Sequence, residues 1–377
     1  MKRFFKKIAG FIKSLPVFSI VCFSILLLCG IVHIFCLIFP RFADWVNLYP
    51  AGGVRWALAK VTGVLPFSLG ETVMLMLPIL VVFLIVFVSV QAHRQHYDLL
   101  RRFYAVMFAV ISIYYSTFVL TLATGYHGTT LDQKLDLECK DLDSDQLIEV
   151  TKWLRNKVNE YAEKVYGVED SYSVMPYDVK TLNEKLNEAY DKAAKDYDFI
   201  LGFSSHIKTM TISRFMSKAG ILGVYTYYTG ETNVNTDYFD YNLVYTCAHE
   251  MSHQRGIARE NEANFMAFLV CRESDDPYIN YSGYLNMFEY MLNPLYKALK
   301  AEDNTGAYYS LLSGLDPRAR TDFGLANEKT IENKGTVSNV TNKINDTFIK
   351  SQGDKHGTAS YGLVIELAAA YYYAGNR

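Results

Sequence analysis

Charge of one sign is what this chain lacks first. Its 377 residues carry 37 Lys+Arg against 39 Asp+Glu. No basic excess exists to neutralise a phosphate backbone, which argues against electrostatic nucleic-acid binding and leaves no nucleic acid among the expected partners. Charged residues of either sign are scarce, at 20%, while half the residues are hydrophobic, and this excludes wholesale disorder. Six cysteines in a chain this long are too few for a disulfide-built scaffold. Internal repeats and low-complexity stretches are missing too. The length suits roughly two domains at ~150 residues each.

What is present is apolar sequence, unevenly spread. Three runs carry no charge: Pro16 to Phe39 (24 residues), Thr72 to Val90 (19) and Phe103 to Thr124 (22). A membrane span needs roughly 20 apolar residues, so each run reads as a transmembrane helix. The third holds Ser112, Tyr114, Tyr115, Ser116 and Thr117, a polar stripe suited to facing other helices. The first run is too long for the apolar part of a signal peptide and reads as a retained anchor.

Lys2, Arg3, Lys6, Lys7 and Lys13 precede the first run with no acid among them, and Arg94, Arg101 and Arg102 lie between the second and third. Basic residues mark the cytoplasmic side. Beyond the third run come Asp132, Asp136, Glu138, Asp141, Asp143 and Asp145. The expected layout is a multi-pass cell-membrane protein with a cytoplasmic N-terminus. Residues 1–124 form its membrane domain, with spans near 16–39, 72–90 and 103–124, and residues 125–377 form an extracytoplasmic domain. The 40–71 loop lies on that outer side, with Trp45, Tyr49 and Trp56 as interfacial aromatics.

Within 125–377 the periodicity predicts a helix capped by Ser144 and running through Tyr161, and a second over 179–199. Ile221 to Tyr228 predicts a strand, closed by a turn at Thr229-Gly230. Helical patterns resume from Tyr241 and recur around 279–300, 304–313, 336–351 and 360–374. The fold class expected is three transmembrane helices plus a mainly helical, α+β domain.

The stretch with chemistry is His249-Glu250-Met251-Ser252-His253. Imidazoles four residues apart share a helix face and can reach one ion, with Glu250 beside the first of them to take a proton from activated water. A catalytic zinc wants three protein ligands. Glu260 is the best third, with Glu262 the alternative. On one straight helix Glu260 would lie about 10 Å along the axis from His253, so the chain must bend, and Gly256 is placed to let it. Asn264, one turn beyond Glu260, is a candidate to orient a ligand imidazole. Cys247 falls off the histidine face and reads as core. Cys22, Cys29 and Cys36, at seven-residue steps, read as helix packing, and His33 among them as a neutral packed histidine.

His249, Glu250, His253, Glu260 and Asn264 together resemble the zincin-like metallopeptidases of the glutamate-ligand branch. More widely, Pro66 to Glu71, Thr229 to Asn235 and the histidine stretch resemble an uncharacterised bacterial family of membrane proteins with a domain of unknown function. The first resemblance implies a zincin-like extracytoplasmic fold, Zn2+ held by His249, His253 and Glu260, Glu250 as general base, a peptide or protein substrate, and 221–228 as the strand along the cleft. Two other functions remain open: a non-catalytic membrane sensor or assembly protein on the same scaffold, and a cell-wall peptide amidase.

Overall fold

A computed structural model describes residues 15–167 and 171–376. The basic residues Lys2 to Lys13 lie outside the described residues. Three helices are long and apolar enough to cross a membrane: α1 (Val17–Ile38), α4 (Leu69–His93), and α5 (Tyr97–Phe118) with its continuation to His127. They contain most of the three charge-free runs and extend the second and third. Helix α4 starts three residues early because the Ser68 hydroxyl accepts the Glu71 N–H (2.9 Å) and caps it. The end of α5 passes through one π turn, Val119–Ala123. Among the described residues, none of the apolar stretch of α4 is buried. Helix α1 packs on α5, and Cys22, Cys29 and Cys36 are all buried, as expected of packing residues. His33 is hydrogen-bonded rather than merely packed. Its Nδ1 lies 3.3 Å from the Tyr115 hydroxyl and its Nε2 3.2 Å from His127 Nε2.

The expected loop between the first two runs is instead two helices, α2 (Pro40–Leu48) and α3 (Pro50–Gly63), each opened by a proline at its first position. They pack against the sequence beyond residue 125. Asp44 pairs with Lys134 (3.0 Å) and accepts the Thr129 hydroxyl (2.8 Å). Trp45, Tyr49 and Trp56 stay exposed, as interfacial aromatics would be.

The globular part is mostly helical. Helix α6 (Ser144–Val165) is capped by Asp143, one residue ahead of the expected Ser144, and buries Leu147, Val150, Leu154 and Val158. Helix α7 (Val179–Asp196) stops three residues short of expectation, where Tyr197 turns extended. After the sheet come α9 (Asp240–Gln254), α10 (Glu260–Glu273), α11 (Pro277–Ala301), α12 (Thr305–Ser313), α13 (Pro317–Glu332), α14 (Thr336–Ser351) and α15 (Val364–Tyr373). One hydrophobic core joins α6, α7, α9, α10, α11 and α15.

The sheet has three strands, β1 (Ile207–Thr209), β2 (Gly223–Thr226) and β3 (Glu231–Val234), with the short helix α8 (Ser213–Ala219) between β1 and β2. The order is β1-β3-β2, with β1 parallel and β2 antiparallel to β3. The strand expected over 221–228 is therefore real but shorter, and it occupies an edge. The central strand, β3, escaped the sequence pattern because Glu231, Thr232 and Asn233 are polar, yet all are buried.

The reason for a buried acid there is plain from its partners. The Glu231 carboxylate accepts the N–H groups of Leu69 (3.0 Å) and Gly70 (2.8 Å), the unsatisfied donors at the start of α4. The segment Pro66 to Glu71 and the segment Thr229 to Asn235 thus meet, and the sheet holds the first turn of an apolar helix. Replacing Glu231→Ala leaves those donors buried and should destabilise the protein by about 2–3 kcal/mol. Thermal unfolding of the full chain in detergent would show it, and an unchanged midpoint would count against this anchor.

Candidate metal centre

Helix α9 lies against the sheet and carries both histidines on one face. It ends through a left-handed residue, Gly256 (φ +97), whose N–H bonds His253 O (3.0 Å) while the Ile257 N–H bonds Ser252 O (3.1 Å). The chain then turns, and α10 begins at Glu260. The bend required by the sequence is at the residue expected.

Its effect is to bring three ligand atoms together. His249 Nε2 and His253 Nε2 lie 3.0 Å apart, and Glu260 Oε2 lies 3.2 and 3.4 Å from them. A tetrahedral zinc with bonds of about 2.0–2.1 Å has ligand-to-ligand edges of about 3.3 Å. The donor set and its spacing fit such an ion. His253 Nδ1 donates to Ile257 O (2.8 Å), which leaves Nε2 with its lone pair toward the centre. Glu262 is turned elsewhere. It accepts the Leu131 N–H (3.0 Å) and pairs with Arg259 (2.9 Å), whose other nitrogen bonds the Tyr126 and Gly128 carbonyls. Glu262 therefore ties α10 to the end of the third apolar helix, and Glu260 alone joins the histidines. Asn264 is buried one turn along α10, beside Tyr290. Cys247 is fully buried and its thiol is pushed up by burial, in keeping with a core role.

Glu250 sits between the centre and the sheet. Burial pushes its carboxyl up, against the pull of His249 and His253, and the Tyr225 N–H bonds it from β2. Gly223 makes room for it, since a Cβ there would come within 2.7 Å of Glu250 Cγ and Oε1. Desolvation opposes a charge on His253. The Glu260 carboxylate, helped by Glu250 and the Ile257 carbonyl, outweighs it and holds the imidazole up at about 9. Glu260 is itself held well below the carboxylate range, because the two imidazoles outweigh its burial.

Two residues of the site were invisible as such in the sequence. Asn47 Nδ2 donates to Gly256 O (2.9 Å), and Arg55 donates to Asn47 Oδ1 (2.9 Å), Asn47 O (2.5 Å) and Thr121 O (3.5 Å). Arg55 is fully buried, and burial pushes its guanidinium down to about 10. These residues lie about two hundred positions before the bend they brace, so local spacing carries no sign of them. Gly223 did leave a sign, a glycine inside a strand pattern, which marks close approach by a neighbour.

Across residues 46–369 the chain matches the family described as Protein of unknown function (DUF3810). It belongs to that family. No curated protein and no solved structure matches it. The DUF3810 match begins just before Asn47 and Arg55 and ends in α15, so it takes in both bracing residues, the sheet and the His249, His253 and Glu260 cluster together.

Gly256→Ala should cost at least about 2 kcal/mol, from the left-handed backbone and from a Cβ placed 2.5 Å from Arg55 Nη2. Chemical denaturation against wild type checks it. The metal-free site also has a pH signature. Because the folded value of His253 is raised above its unfolded ~6.5, the stability it contributes is complete below ~6.5 and is lost as pH rises through about 9. Thermal midpoints of chelated protein should fall across that window, and His253→Gln should flatten the fall.

Proposed function

We propose that this chain is a membrane-anchored, zinc-dependent metallopeptidase with a zincin-like site, acting outside the cytoplasm. The observation that carries the reading is the convergence of His249, His253 and Glu260 at tetrahedral edge distances with the Glu250 carboxylate beside them. Zinc there would supply a Lewis acid for the peptide carbonyl and bring the pKa of water down toward 7. Glu250, buried and with a raised pKa, is suited to accept the proton from the attacking water and return it to the leaving amine. A site meant only to hold structure has no use for such a base. Strand β2 supports a peptide substrate. It is an edge strand, paired with β3 on one side only, and it runs beside Glu250. An extended peptide can add to an open edge.

The orientation rests on charge. The sheet holds the start of α4 and Arg259 holds the end of α5, so the turn between them lies at the far end of this helical hairpin from the globular part. That region carries exposed Arg94, Arg101 and Arg102, which the positive-inside rule assigns to the cytoplasm.

The test uses the full chain in detergent or nanodiscs, because Asn47 and Arg55 brace the site. About one zinc per chain is expected in wild type and none in His253→Ala. Glu250→Gln should keep its zinc and lose about 10²–10⁴ in cleavage of a peptide library. Folded wild-type protein that binds no zinc would overturn the peptidase and leave the non-catalytic scaffold.

A further inference from the structure

Helices α2 and α3 each have two unlike faces. On α2, Ala43, Val46 and Asn47 are buried, while Arg41 and Trp45 are exposed and Tyr49 follows them outward. On α3, Ala51, Gly52, Arg55, Ala59 and Thr62 are buried. Trp56, Ala57, Lys60 and Val61 lie exposed at helical spacing on its other side, and Val64 and Phe67 extend the row. Trp45, Tyr49, Trp56, Val61 and Val64 keep 50–80% of their surface. A contiguous apolar face of this kind marks a contact surface.

Three observations indicate what covers it. The face is continuous with a helix fit to cross a membrane. Phe35 of α1, Phe42, Trp45 and Tyr49 follow one another with ring centroids 5.9, 6.0 and 6.3 Å apart. Ile34, Leu37 and Ile38 at the end of α1 are exposed as well. Both ends of the hairpin also run into such helices, since α2 follows α1 after Phe39 and α3 leads into α4 through Pro66 and Phe67. Finally, the charge is one-sided. Between Phe39 and Phe67 the only acid is Asp44, which pairs with Lys134 (3.0 Å), whereas Arg41 and Lys60 stand exposed. Aromatic rings with polar tips, set among apolar side chains and flanked by exposed cations, fit the boundary between acyl chains and phosphate headgroups. Beside the row, Tyr49, Gly52, Gly53 and Trp56 face Leu201 and Phe203 across an uncharged cavity of about 300 Å³, which has room for hydrocarbon.

We infer that the α2–α3 hairpin docks on the lipid bilayer, with its outward row in the leaflet where α1 ends and α4 begins. The partner is phospholipid, its acyl chains against the aromatic row and its phosphates near Arg41 and Lys60. The opposite face of α2 holds Gly256 O through Asn47 (2.9 Å). One helix diameter, about 10–12 Å, therefore separates lipid from the bend that closes the candidate metal centre.

The test reads tryptophan emission, and neither zinc nor cleavage enters it. The chain has three tryptophans. Trp45 and Trp56 are on the outward row, while Trp153 packs against Phe268, Tyr284 and Tyr372. Full-length protein is placed in phosphatidylcholine nanodiscs, with plain acyl chains or chains brominated near the headgroup end. Wild type should lose most of its Trp45 and Trp56 emission to the brominated lipid and little to aqueous iodide. Trp45→Phe and Trp56→Phe, each keeping one ring of the row, should both stay sensitive to bromine. The double variant, left with Trp153, should lose that sensitivity. A ring quenched by iodide and not by bromine would overturn the docking of its helix, because that face then meets water. Quenching by neither would overturn it as well, because protein then covers the row.

Discussion

The reversal at Gly256 is the constraint on which the rest depends. Two imidazoles on one helix can face an ion, but the third ligand must come from chain that has turned back. Gly256 supplies the left-handed residue that ends α9, and the turn sets Glu260 at the first position of α10. Once there, Glu260 meets both imidazoles at 3.2 and 3.4 Å. The neighbouring Glu262 is drawn the other way by Arg259 and the Leu131 N–H. Two glutamates two residues apart on a helix point in different directions, and each finds a different task.

That reversal is braced from outside the globular sequence. Arg55 is a buried cation whose partners are an amide and carbonyls, with no carboxylate among them. Burying a charge costs several kcal/mol unless its hydrogen bonds are satisfied, so Arg55 is stable only with Asn47 and Thr121 in place around it. Asn47 in turn holds the carbonyl of Gly256. Arg259 and Glu262 do the same from the end of the third apolar helix, and Glu231 from the start of the second. These contacts join the apolar helices to the candidate metal centre. Removing residues 1–124 would take away Asn47, Arg55 and Thr121 together.

Much of this was legible beforehand, for local reasons. Long apolar runs announce themselves by length, and α1, α4 and α5 contain most of the expected ones. The two histidines and Glu260 were legible because helix spacing and the need for a bend are geometric facts of a short segment. Boundaries were less so. Ser144 yielded the cap to Asp143, and the strand over 221–228 shrank to 223–226, since ends are settled by competing neighbours. Strand β3 was missed because its polar residues bond to other segments, where pattern cannot see them. The helices of 40–63 read as a loop because their charges and aromatics lack a run long enough to register.

The sequence by itself determined the apolar helices, the helical character of the remainder, the residues of the candidate site and the place of the bend. Each follows from residues within a turn or two of one another, where spacing and backbone preference act directly. The tertiary structure alone brought Glu260 rather than Glu262 to the two histidines, put Gly223 against Glu250, and recruited Asn47 and Arg55 to the bend. Those choices depend on which distant segments exclude water from the same space, and no local pattern encodes that.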